Sequence, residues 1–250
     1  MSNIENKKLL ICIPNYFNPE RSKYLNNILG RFISYGIDTT IFIDTNSEDT
    51  VLSVPHDERI LIYVHKGLKH PYHLTWIHRQ HFKNCIDTYD YFMYIEDDID
   101  IPFENFVEYL NNFYLLWPKY VPSFIRIEEK ENIKYVVDQQ KIQKISESKI
   151  VQTDSKKFIL LSRPYHAFWI MPQKELKQTM IKDFIKYNIC REMAASYPIF
   201  QLNKTPLVML DETNKISPLC YSYHLPNTYV NIEGNEHKFG RIKVKDLVIQ

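Results

Sequence analysis

Leu9-Leu10-Ile11-Cys12-Ile13 is an unbroken apolar run, and it constrains the fold more than any other stretch of this chain. A strand with one wet face alternates apolar and polar residues, whereas a run without alternation must be covered on both faces. The residues that follow supply cover. Asn18-Pro19-Glu20 combines a capping side chain, a proline for the first helical position and an acidic first turn. Tyr24, Leu25, Ile28, Leu29, Phe32 and Ile33 then recur at helical spacing, and Gly36 is placed to end the helix.

The same grammar repeats over the first hundred residues. Residues 39–44 form a second strand pattern ending on Asp44, and residues 59–65 form a third. An amphipathic helical pattern covers 74–86, and residues 91–96 form a fourth strand. Strand, helix, strand, strand, helix, strand predicts an α/β fold with a mixed, mostly parallel sheet flanked by helices. Such sheets bind ligands at the carboxyl ends of their strands. Asn15, Asp44 and the segment from Glu96 to Asp100 are all predicted to fall there.

The end of the fourth strand has the most distinctive chemistry. Tyr91-Phe92-Met93-Tyr94-Ile95 runs directly into Glu96-Asp97-Asp98-Ile99-Asp100. Clustered carboxylates at the end of a buried strand repel one another, and a divalent cation with oxygen ligands relieves that repulsion. The alternative is a solvated acidic turn ahead of a helix starting near Pro102.

The second half is less regular. A helix over 103–117 is stopped by Pro118, and short strands are expected at 123–127, 134–137, 158–161 and 167–171. Helical signals cover 173–188 and 191–196, and a buried strand over 206–210 ends on Asp211-Glu212. With 250 residues, 44% hydrophobic content and no linker, the chain reads as one domain, 1–250, in two lobes, 1–101 and 102–250. The polar stretch 130–157 is expected to be an exposed excursion. A net charge of +1 from 31 basic and 30 acidic residues supplies no bulk field toward nucleic acid. No apolar leader or membrane-length run is present, and three of the four dispersed cysteines sit in apolar surroundings as core thiols. A reducing, cytoplasmic setting is the expectation.

Three motifs in this order resemble the nucleotide-diphospho-sugar transferases of the GT-A fold. They are Ile13-Pro14-Asn15-Tyr16-Phe17-Asn18 after the first strand, Asp44 after the second, and Tyr94-Ile95-Glu96-Asp97-Asp98 after the fourth. The last is similar to the family's acidic motif, and the resemblance covers about the first hundred residues well and the rest loosely. It implies a divalent-metal-dependent glycosyltransferase that uses manganese or magnesium. Its donor would be a nucleotide-activated sugar, most simply a UDP-sugar, and its acceptor a glycan, protein or small molecule. Residues 1–101 would bind the donor and 102–250 the acceptor.

Carried over residue by residue, the resemblance makes Asp98 the metal ligand, with Asp100 and His224 as further candidates. Asp97 or Glu96 would reach ribose or sugar hydroxyls, Pro14, Asn15, Tyr16 and Asp44 would bind the nucleoside, and Arg79 would face the diphosphate or else solvent. Lys238 and Arg241 would close over the phosphates. An inverting enzyme needs a carboxylate base, for which Glu192 and the Asp211-Glu212 pair are the candidates. Each also has a structural alternative as a cap, a turn former or a helix-start acid. Other enzyme and binding classes stay open: a sugar nucleotidyltransferase, although its Gly-rich phosphate loop with a basic residue is missing from Pro14-Asn15-Tyr16, and a non-catalytic nucleotide- or glycan-binding relative. The histidines at 70, 73, 78 and 81 lack cysteine partners and do not form a zinc pattern.

Overall fold

The computed structural model describes residues 4–144, 146–161, 165–180, 184–232 and 239–249. The chain forms two compact units, one of residues 1–99 and 167–197, the other of 100–166 and 198–250. Residues 167–197 thus join the N-terminal segment, because their strand pairs with its sheet.

In the first unit, β1 (Lys8–Asn15), β2 (Asp38–Thr45), β3 (Ile60–Val64) and β4 (Tyr91–Ile95) make a parallel sheet. The strand Phe168–Pro172 adds antiparallel to β4, giving the order Phe168–Pro172, β4, β1, β2, β3. Leu9 to Ile13 of β1 are 0% exposed, as a run covered on both faces requires. The helix α1 (Ser22–Ile33) lays Leu25, Ile28, Leu29 and Phe32 into the core.

Local details depart from the sequence pattern. Asn18 does not cap α1: its side chain accepts from Glu20 N–H in a turn, and the helix begins four residues later. Its proline therefore shapes the turn, not the first helical position. Gly36 has no left-handed backbone role; the helix ends where Ser34 N–H bonds back to Gly30 and Arg31. The expected 74–86 helix is divided into a 3₁₀ turn, Pro71–Trp76, and a helix, His78–Asn84. The expected 173–188 helix ends at Thr179, and residues 181–183 lie outside the described residues.

Among the described residues the second unit contains the helix Phe103–Leu116 and three small sheets. One is ordered Ile150–Gln152, Lys157–Ile159, Thr205–Leu210, Tyr120–Pro122. Another runs Ile242–Lys243, Ile133–Val136, Ile125–Lys130, Tyr221–His224, and its edge is the two-residue strand Ile99–Asp100, at which the unit begins. The third pairs Val248–Ile249 with Gln143–Lys144. The polar 130–157 stretch is therefore not a bare excursion, since it contributes a strand to each of the three sheets. Phe106, Leu110, Phe113, Phe124 and Val208 are buried in this unit. All four cysteines are free, and two rather than three are core thiols: Cys12 and Cys220 are buried, while Cys85 and Cys190 are partly exposed. Among the described residues no helix is long and apolar enough to cross a membrane.

Each unit buries a histidine held neutral. Burial, then the Arg126 charge, pushes His166 down to about 3, and burial, then Arg79, holds His78 well below the usual range. The unfolded chain takes up these protons near pH 6.5 while the native one does not, so each histidine removes stability as pH falls below about 6.5. The expected slope is about 1.4 kcal/mol per pH unit for each. Urea titrations between pH 7.5 and 4.5 check this: His166→Gln should remove about one proton's worth of slope, and parallel wild-type and variant curves would refute the assignment.

Candidate functional site

Because β1, β2 and β4 are parallel, their carboxyl ends share one edge of the first unit. In the strand order, β2 and β4 flank β1 on opposite sides, which makes the gap between β1 and β4 a topological switch point. Asn15, the last residue of β1, spans it. Its Nδ2 donates to Asp97 Oδ2 at 2.7 Å. Its Oδ1 accepts from Thr50 Oγ1 at 3.1 Å, and the Thr50 and Thr45 hydroxyls are 2.7 Å apart. A buried hydroxyl pair thereby orients the Asn15 amide toward the acidic segment. The Asn46 side chain accepts from Phe17 N–H at 2.8 Å and holds the neighbouring loop.

The acidic segment is buried despite its charge. Glu96, Asp98 and Asp100 are 8%, 5% and 6% exposed. Burial, followed by the Asp98 charge, raises the Asp97 carboxyl to about 7, against the opposing pull of Arg21 and Asn15. Two arginines balance the cluster. Arg21 Nη2 pairs with Asp98 and lies 3.7 Å from Asp97 Oδ1; Arg191 Nε lies 3.6 Å from Glu96 Oε1. Sequence reasoning missed both. The available signal for Arg21 was a basic residue six positions after Asn15, in the loop that follows the first strand of such sheets.

The remaining donor-side candidates divide by exposure. Pro14 is buried behind Asn15, and Tyr16 presents an exposed ring. Asp44 is 1% exposed, and its Oδ1 is held by His65 Nε2 at 2.7 Å and His81 Nε2 at 2.9 Å. Tyr187 presents a second open phenol ring, half-exposed and stacked on His73, and burial, then Asp44, raises its pKa. Arg79 faces neither solvent nor an open edge. Its guanidinium is fully buried, 4.1 Å from the Trp76 ring centroid, and donates to the Phe184 and Met193 carbonyls. A cation in that position is part of the core.

The base candidates differ in the same way. Glu192 is exposed on the short helix Arg191–Ala194, next to the arginine that pairs with Glu96. Asp211, in the second unit, is committed to a turn: its Oδ1 accepts from Thr213 N–H, Thr213 Oγ1 and Lys215 N–H. Although partial burial opposes them, these bonds leave its carboxyl below the ordinary range, which suits a turn former and not a base. Glu212 is exposed beside it.

His224 lies in the second unit with Asp100, whereas Asp98 lies in the first. His224 Nδ1 is 2.5 Å from Glu128 Oε1, and Glu128 Oε2 accepts from Val230 N–H at 2.8 Å. A carboxylate on one ring nitrogen is the arrangement that metal-ligating histidines commonly carry. Arg241 donates to the Ile232 carbonyl, and Lys238 lies outside the described residues. Phe168 and Trp169 are core.

Among the described residues no group of three or more His, Cys, Asp or Glu side chains is arranged to hold a metal ion. A cation at the β4 end would fit only as magnesium does with phosphate substrates, on one or two carboxylates with substrate oxygens and water completing its shell. The crowded carboxylates of Asp97 and Asp98 are suited to that arrangement. Compared with known families and with curated proteins, the chain matches no family model and no curated sequence.

Proposed function

We propose that the chain is a divalent-cation-dependent glycosyltransferase of GT-A type, taking a sugar from a nucleotide diphosphate, most simply UDP, to an acceptor hydroxyl. One observation carries this reading: Asn15 and Asp97 are joined across the switch point of a parallel sheet, where nucleotide ligands bind. A bound manganese or magnesium ion would neutralise the charge that grows on the diphosphate as the glycosidic bond breaks. Asp98 is the side chain to hold it.

The other residues then have distinct tasks. Asn15 fixes Asp97 so that the carboxylate, with Glu96, can accept from ribose or sugar hydroxyls. Tyr16 and Tyr187 offer ring faces to the base. Arg21 and Arg191 hold the acidic segment together before the donor arrives. Glu192 is the favoured base, since it is exposed and adjoins the residue paired to Glu96, while Asp211 is taken up by its turn.

The test is thermal unfolding with UDP-, GDP- and CMP-sugars, each with manganese and with a chelator. Ligand at about 100 times its dissociation constant stabilises by roughly 2.7 kcal/mol, a rise of several degrees for a chain of this size. The expected result is a shift for one nucleotide class that needs manganese and shrinks in Asn15→Ala, measured against that variant's own baseline. Indifference of the protein to every donor in the presence of metal would overturn the reading.

A further inference from the structure

The second unit contains a cavity of about 440 Å³ whose walls come from three separate stretches: residues 132–134, 211–221 and 243–245. Four lysines line it: Lys134, Lys215, Lys243 and Lys245. Among the described residues the one acid in the lining, Asp211, spends an oxygen on its own turn. Lys134 and Lys243 are half-buried, and among the described residues none of the four lysines is within ion-pair distance of a carboxylate.

This charge is local. The whole chain carries 31 basic against 30 acidic residues, yet the cavity gathers four cations around one acid. Four lysines on one lining give the cavity a positive potential, which favours an anion there. Apart from Asn132, the remaining lining is largely apolar, with Ile133, Ile216, Pro218 and Val244 beside the ring of Tyr221. Lys134 Nζ lies 5.6 and 5.7 Å from the Tyr221 and Tyr223 ring centroids, so one cation is held over aromatic faces at the wall. A pocket of this size, apolar with a few convergent charges, has the general form of a small-molecule site.

We infer that this cavity binds a small phosphate ester, its phosphate on the lysines and its ring or alkyl body against Tyr221, Ile133 and Ile216. A dianion matches the excess of lysines, and ammonium groups bind phosphate as point charges without demanding a planar partner. The site lies wholly in the second unit and does not depend on the sugar-transfer reading. If that reading holds, the cavity would select phosphorylated ligands or acceptors.

Calorimetric titration of the full chain with phenyl phosphate, inorganic phosphate and phenol tests this. Phenyl phosphate is expected to bind at least tenfold more tightly than inorganic phosphate, with phenol not binding. Lys134→Gln combined with Lys243→Gln should weaken phenyl phosphate at least tenfold, while Lys186→Gln on the exposed surface of the first unit leaves it unchanged. In the unaltered protein, raising sodium chloride from about 50 to about 500 mM should weaken binding severalfold, a readout that needs no variant. Inorganic phosphate binding as tightly as the ester would overturn the role of the apolar wall. Absence of phenyl phosphate binding at millimolar concentration, or equal loss in the Lys186 control, would overturn the site. Either failure leaves nucleotide-sugar binding at the first unit's sheet edge to be judged by its own experiment.

Discussion

Asp98→Asn is expected to lower the proposed sugar transfer by about 10²–10³-fold in kcat/KM, with secondary structure unchanged. The amide keeps the carboxylate's shape but not the charge that a divalent cation would need, and removing one preorganised electrostatic group commonly costs about 10²–10³-fold. Folding should survive, because Arg21 keeps Asp97 at 3.7 Å and has a side chain that is 44% exposed and can be solvated. Release of the nucleoside diphosphate from the donor, followed with and without manganese, measures the effect. The manganese-dependent melting shift should vanish in the same variant. Turnover within tenfold of the unaltered protein would remove Asp98 from the site.

Arg79→Ala is expected to cost about 3–5 kcal/mol of stability, lowering the melting temperature by roughly 10 °C. The guanidinium is 0% exposed and sits among three rings, with centroids 4.1 Å away at Trp76, 5.1 Å at Tyr197 and 5.3 Å at Phe184. It also ties His78–Asn84 to the 184–193 stretch through two carbonyls. Burial lowers its pKa to about 10, so it stays charged at neutral pH. Truncation therefore empties a large volume and strands one buried and one part-buried carbonyl. Arg79→Lys should recover little, since a compact ammonium cannot lie flat on Trp76 while reaching both acceptors. Urea unfolding of both variants decides it. An Arg79→Ala protein within about 2 °C of the parent would show that the buried cation carries no structural weight.

These effects rest on different kinds of sequence legibility. The apolar runs of β1 and β4 and the helical stripe of Leu25, Ile28, Leu29 and Phe32 are local patterns, and each element formed close to its expected place. The acidic segment was equally visible, because an abrupt change from apolar to charged residues is itself local. Short-range turn chemistry was less secure. Asn18-Pro19-Glu20 has the composition of a helix start but closes a separate turn, since the same side-chain bond serves either geometry.

The sequence by itself determined a parallel α/β sheet with polar residues gathered at its strand ends, because side-chain periodicity encodes which faces are buried. Only the tertiary structure decided which strands are neighbours, and so set Asn15 against Asp97 across 82 positions of chain. It also decided that Arg79 points inward, that Arg21 balances Asp98, and that lysines from three distant stretches line one cavity. No local pattern encodes such pairings, because they arise when packing brings remote segments together and repays the entropy of closing the chain between them.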